Sequence, residues 1–190
     1  MLTDPPETTE VRELYAGELA NDGYVWNVSR LWCWRPDLYE GFAGLRTQLT
    51  EGSSLSDREC AVLVVATATA LGDSYCAFAW GKKLTPLADD EAAARVVTGE
   101  TEELTPREQA LADWARRVVK GPNETTDADV ERLRAVGLDD REIFEATVWI
   151  AFRLAFSTVN DALGVGPDRQ LVASVPTSLQ EAVTFGRPVA

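Results

Sequence analysis

The chain carries three cysteines, Cys33, Cys60 and Cys76, and no histidine. The missing imidazole removes Ser-His-Asp and Cys-His catalysis, histidine metal sites and histidine proton shuttles together. Chemistry therefore falls to Cys, Asp, Glu, Tyr, Lys or Arg. An odd number of widely spaced cysteines forms neither a disulfide framework nor a zinc pattern. Cys76 is the one whose position points to reactivity. It follows a Gly72-Asp73 break, and with Asp73 as the helix cap it falls inside the first turn, where free amides and the helix dipole favour a thiolate. The Asp73 carboxylate opposes this by setting a second negative charge nearby. Two readings of Cys76 stay open. One is a single-thiol redox or nucleophilic centre, oxidised to sulfenic acid and resolved by an external thiol, by Cys60 or by Cys33. The other is a structural cysteine beneath Trp80, one turn along the same face. Asp73 is either a cap alone or a cap that also acts as general base or substrate anchor.

Arg153 interrupts the most apolar stretch of the chain. A guanidinium buried there needs a carboxylate from another helix or a bound anionic group. The segment holding Tyr24, Trp26, Trp32, Trp34 and Tyr39 is dense in aromatics. It packs the core or a subunit interface, or it walls an apolar pocket above Cys76, with Asn27 and Arg30 as polar contacts. On the pocket reading, Trp26, Asn27, Tyr75, Trp80 and Arg153 are the candidate substrate contacts. The glycines fall at helix ends rather than in a phosphate loop, and neither a metal nor an organic cofactor is expected.

Helical signals must position these residues, since no long stretch alternates with period two. Helices are expected over 9–20, 25–34 and 36–49, ended by Gly23, Pro36 and Gly52. Ser56-Asp57-Arg58-Glu59 is a capping box that opens the almost wholly apolar run 60–71, closed by Gly72. The helix of Cys76 and Trp80 follows, with Gly81 near its end. Further helices are expected over 89–97, 106–120, 126–136 and 139–163. Capping boxes at Thr105 and Asp139 open two of these. The last is apolar nearly all round from Ala146 to Phe156 apart from Thr147 and Arg153. Beyond Gly164 the chain reads as a tail punctuated by Gly and Pro.

A chain of 190 residues suits one domain, or a repeat of two small helical halves, and buries roughly 70% of its unfolded surface. A net charge of -13 argues against nucleic acid and anionic membranes, which need clustered Lys and Arg. No run approaches the ~20 apolar residues of a membrane span, and the acidic, Pro-rich start is unlike a signal peptide. The expectation is a cytoplasmic protein whose partners are copies of itself or a small, mostly apolar molecule.

The segment LSDRECAVLVVATATALGDSYCAFAWGKKL, residues 55–84, resembles the carboxymuconolactone decarboxylase superfamily, and within it the alkylhydroperoxidase-D-like (AhpD-like) branch. The shared pattern is a capped helix, a body of small residues, a Gly turn and a short helix whose first turn carries the thiols. LTPREQALADWARRV, DADVERLRAVGLDDREI and a long helix ending in Asn160, Asp161 and LGV are similar too, so the resemblance spans about 23–166. It implies an all-α, AhpD-like helical bundle forming a single domain over 9–170, with a disordered tail over 1–8. The C-terminal tail, 171–190, would lie on the surface or on a neighbouring subunit of a homo-oligomer (dimer, trimer or hexamer).

The family's redox site has a Cys-x-x-Cys pair, a histidine one turn further and a glutamate upstream. On this chain the second cysteine is Cys76, while Asp73, Trp80 and Ala61 stand at the other three positions. Glu59 is close to Ala61 in sequence, but two positions along a helix turn it by about 200°. An internal disulfide cycle is excluded. What the resemblance then implies is single-cysteine peroxidase or thiol-dependent activity on a small organic molecule, with Cys76 and Asp73 as catalytic residues. The alternatives are a non-redox lyase, hydrolase or isomerase on the same fold, or a binding or assembly protein without the active site.

Overall fold

The structure, a computed structural model, describes residues 2–100 and 103–190. Met1, the first residue of the expected N-terminal tail, lies outside them. The α-helices are α1 (Thr9–Asp22), α2 (Asn27–Trp32), α3 (Pro36–Glu51), α4 (Asp57–Leu71), α5 (Ser74–Leu84), α6 (Ala92–Thr98), α7 (Pro106–Lys120), α8 (Asp127–Ala135), α9 (Asp140–Leu163), α10 (Arg169–Ala173) and α11 (Thr177–Ala182). No strand occurs among the described residues, so the fold is the expected all-α bundle.

Its axis is α4, which packs against α5, α6, α7 and α9. Every residue from Cys60 to Ala68 is buried, as the run of apolar and small side chains demands. The buried Thr67 hydroxyl donates to the Leu63 carbonyl at 2.7 Å, which keeps its polar atom partnered inside the core. The helix start is fixed by the capping box: the Ser56 hydroxyl accepts from the Glu59 amide, and the Glu59 carboxylate accepts from the Ser56 amide at 2.9 Å. The same box opens α7 at Thr105 and Glu108, and α9 at Asp139 and Glu142.

These three helix starts are tied to one another. Arg58 meets Glu108 at 2.6 Å, and Arg107 meets both Glu59 and Glu142 at 2.7 Å. Each glutamate thus serves two partners, and two arginines bind the entrances of α4, α7 and α9 into one unit. Charge-assisted bonds of this kind are the strong ones.

Local polar contacts shift some boundaries from the expected ones. The start of α2 moves to Asn27 because the Trp26 amide donates to the Glu18 carboxylate at 3.0 Å, and the Asn27 amide to Asp168 at 2.9 Å. The start of α6 moves to Ala92 because the Asp89 carboxylate first folds a turn, accepting from the Glu91 amide at 2.8 Å. Residues 169–182, read as an irregular tail, form the short helices α10 and α11. After them the chain returns to the start of α5, where the Ser74 hydroxyl donates to the Arg187 carbonyl at 2.8 Å. Gly186 makes that approach with φ +77, and a Cβ there would lie 2.6 Å from the Gly72 carbonyl oxygen. No helix of the described residues is long and apolar enough to cross a membrane.

Candidate functional site

Asp73 caps α5: its Oδ1 accepts from the Cys76 amide at 2.9 Å. The amide that would favour a thiolate is therefore already engaged by the cap. Cys76 is only 2% exposed, and its sulfur accepts from the Ser157 hydroxyl at 3.5 Å. Burial first, and then the Asp73 carboxylate, push the Cys76 thiol far above its ordinary pKa; the Arg153 guanidinium and Ser157 pull the other way and lose. The resting state is a protonated thiol. Of the opposing influences at this helix start, the carboxylate and desolvation outweigh the dipole.

Behind the thiol lies a small apolar nest of Ala68 and Ala77, completed by Phe156 and by Val183 and Phe185 from the returning tail. Asp161, at the end of α9, stands near Asp73. Burial, and then the Asp73 charge, raise its pKa from 3.8 to about 7, with Arg187 opposing.

In front of the thiol is a pocket of about 920 Å³. Its inner wall comes from α4, α5 and α9, with Cys60, Cys76, Trp80, Trp149 and Arg153; its outer wall comes from α3, with Tyr39, Phe42 and Arg46. Arg46, Lys82 and Lys83 are exposed, which sets the mouth at the surface. Aromatic rings dominate the lining. Trp80 meets Trp149 edge-on at 5.5 Å between ring centroids, and Phe42 tilts against Phe152 at 5.3 Å. Such a lining buries flat apolar ligands well.

Of the two partners expected for Arg153, a carboxylate from another helix or a bound anionic group, the first is not there among the described residues. The guanidinium carbon instead lies 4.6 Å from the Phe152 ring centroid, 5.1 Å from Phe156 and 5.5 Å from Trp80, and its Nε has no hydrogen-bond partner. Asp73 Oδ2 is also buried without one. Buried polar atoms are almost always paired, so each orphan calls for an account.

The remaining sequence candidates divide. Trp26, Tyr75, Trp80, Cys76 and Arg153 line the pocket, whereas Asp73 lies behind the wall and Asn27 is not part of it. The Asn27 side chain instead donates to the Gly166 carbonyl at 3.1 Å. The Tyr75 hydroxyl donates to Asp168 at 2.8 Å, so only its ring faces the cavity. Glu59, fully engaged by its cap and by Arg107, takes no part. Sequence reading missed Ser157, Arg46 and Lys83, whose link to Cys76 or to the pocket is made only by tertiary packing. Among the described residues no group of three or more His, Cys, Asp and Glu is placed to hold a metal.

No protein-family model and no curated protein sequence matches the chain. Solved structures do. An alkylhydroperoxidase AhpD core, a peroxidase-related protein from Ralstonia eutropha JMP134, aligns with TM-score 0.78 and 26% identity, covering 89% of this chain and 93% of that one. A peroxidase-related protein from Silicibacter sp. TM1040 aligns with TM-score 0.77 and 22% identity over 90% of this chain and 97% of that one. The debrominase Bmp8, as a cysteine-to-alanine variant in complex with 2,3,4-tribromopyrrole, shares the fold at TM-score 0.75 and 16% identity, over 96% and 97% of the two chains. In its fold the chain is an AhpD-like protein of the carboxymuconolactone decarboxylase superfamily.

Proposed function

We propose that the chain carries out thiol-dependent chemistry on a small, largely apolar organic molecule held in this pocket, with Cys76 as the reacting group. The observation that carries the reading is the placement of the thiol. It lines an aromatic-walled cavity, and a carboxylate with a buried, unpartnered oxygen stands beside it. In the first step the Cys76 proton passes to Asp73. The Ser157 hydroxyl, donating to the sulfur, and the Arg153 guanidinium stabilise the thiolate that results. That thiolate attacks an electrophilic carbon of the bound molecule and displaces a leaving group, which departs with the electron pair of the broken bond and takes the proton held on Asp73. Because the resting thiol is held protonated, the reading favours an activated-on-binding nucleophile over a fast peroxide scavenger. The debrominase of the same fold, as its cysteine-to-alanine variant, holds a brominated pyrrole, which supports a small ring as the kind of molecule this fold accommodates.

The test is alkylation with monobromobimane, followed by mass spectrometry of each cysteine. Modification at Cys76, lost in Cys76→Ser and slowed about tenfold or more in Asp73→Asn, is the expected result. Labelling confined to Cys33 and Cys60 would sink the reading. A second reading, a binding protein without turnover, is favoured by the depth of Cys76 and by the three replaced family positions. It predicts ligand affinity that is equal in wild type and Cys76→Ser.

Two further parts belong to the proposal. Three buried, unpaired cysteines support a reducing compartment such as the cytoplasm. Leu19, Leu38, Leu45 and Phe144 are 54%, 47%, 44% and 68% exposed, which supports self-association through these faces. Light scattering at micromolar concentration checks it, and a stable monomer counts against it.

A further inference from the structure

We propose that the ligand of this pocket is an organic anion, its planar apolar body against Trp80 and Trp149 and its carboxylate-type head held by Arg153, Arg46 and Lys83. The inference rests on the pocket reading above and names the class of molecule it takes. The chain is strongly acidic, at -13, and nine of its arginines meet carboxylates at 4 Å or less. Among the described residues Arg46, Lys82, Lys83 and Arg153 form no ion pair, and all four line one cavity. In a molecule with such an excess of acid, four unpaired cations facing one space, three of them (Arg46, Lys83 and Arg153) close enough to feel one another, mark a place kept for a negative charge.

Arg153 is the strongest element. It is 5% exposed, lies in the middle of α9, and its Nε has no partner. A guanidinium removed from water without a carboxylate is costly, and its contacts with aromatic rings offset only part of that. Lys83 shares the Trp80 ring with it, its Nζ 4.2 Å from the centroid. Burial, and then the charges of Arg46 and Arg153, lower the Lys83 pKa, and Asp57 alone opposes them. Glu18, the other acid of the lining, is already occupied by the Trp26 amide at 3.0 Å and by the Ser29 hydroxyl. The protonated Cys76 thiol supplies no charge either. A planar carboxylate satisfies the Arg153 fork and relieves the mutual repulsion of the three cations. Arg153 precedes Ser157 by one turn of α9, so a head group bound there lies beside the thiol.

The probes are 2-naphthoate and its neutral isostere 2-naphthamide, titrated calorimetrically against the whole chain. The expected result is naphthoate affinity about tenfold or more above that of the amide, with the preference shrinking as salt is raised. Lys83→Met and Arg46→Met, at exposed positions that do not endanger folding, each reduce that preference about threefold or more. Arg153→Met abolishes it if the variant folds. Lys120→Met, on the surface away from the pocket, reports the effect of net charge alone. Equal affinity for the two naphthalenes, or a loss in Lys120→Met as large as in Lys83→Met, overturns the anion and leaves the pocket standing. Failure of both compounds to bind at millimolar concentration overturns the anion and the pocket reading together.

Discussion

The two walls of the pocket are built to opposite standards. Along α4 every side chain from Cys60 to Ala68 is buried; along α3, of similar length, none is. What holds α3 is a seam of rings, with Phe42 against Trp32 at 4.9 Å, Phe152 at 5.3 Å and Phe156 at 5.9 Å. Leu49 adds a half-buried contact with the core, while Leu38 and Leu45 face outward. The contrast teaches that stability resides in the inner wall, while the outer wall is a lightly attached cover. Local opening free energies follow buried contact density, so α3 opens before α4 does.

The hardest blow to this comparison is a truncation on the inner side. Leu63→Ala, at a fully buried position, should cost about 2–5 kcal/mol in denaturant unfolding; a cost below 1 would mean that α4 is not the axis. Next is Phe42→Ala, which removes the seam. We expect about 1–3 kcal/mol and, more tellingly, faster amide exchange in α3 than in α4. Uniform acceleration across both helices would erase the distinction.

A pH series probes the inner side differently. Asp161 is raised from 3.8 to about 7, so between those values the folded chain keeps a proton that the unfolded chain releases. The associated stability is full below pH 3.8 and is lost as pH rises to about 7. Asp161→Asn should flatten that decline. A decline unchanged by the substitution would place its origin elsewhere. The smallest effect is expected on the cover: Leu45→Ala should stay within about 0.5 kcal/mol. A larger loss, dependent on protein concentration, would show that the outward face of α3 is covered by a second copy.

What the sequence made legible was whatever acts over one or two turns. The boxes at Ser56, Thr105 and Asp139 and the cap at Asp73 could be read because donor and acceptor are three residues apart. The apolar body of α4 could be read from its composition. The fate of the thiol could not. Ser157 reaches Cys76 across 81 residues of chain, and Asp73 competes with the dipole by amounts that depend on burial. For Arg153 the sequence left a carboxylate or a bound anionic group open, and only packing shows that no carboxylate reaches it and that rings and an open space surround it. Arg46 and Lys83 drew no reading from the sequence, because only the pocket brings α3 and α5 to face one space. The returning tail was equally hidden, since only tertiary contact reveals why Gly186 must be glycine.

That return has a consequence in time. The Ser74–Arg187 link joins residues 113 apart, and the ribosome adds about 5–20 residues per second. For some ten seconds of each synthesis, then, the nascent chain presents Cys76 without the tail that forms the back of its nest. A thiol that the folded protein reaches only through its pocket begins its life open on the other side as well. Newly made chains should therefore lose Cys76 to oxidation faster than completed ones.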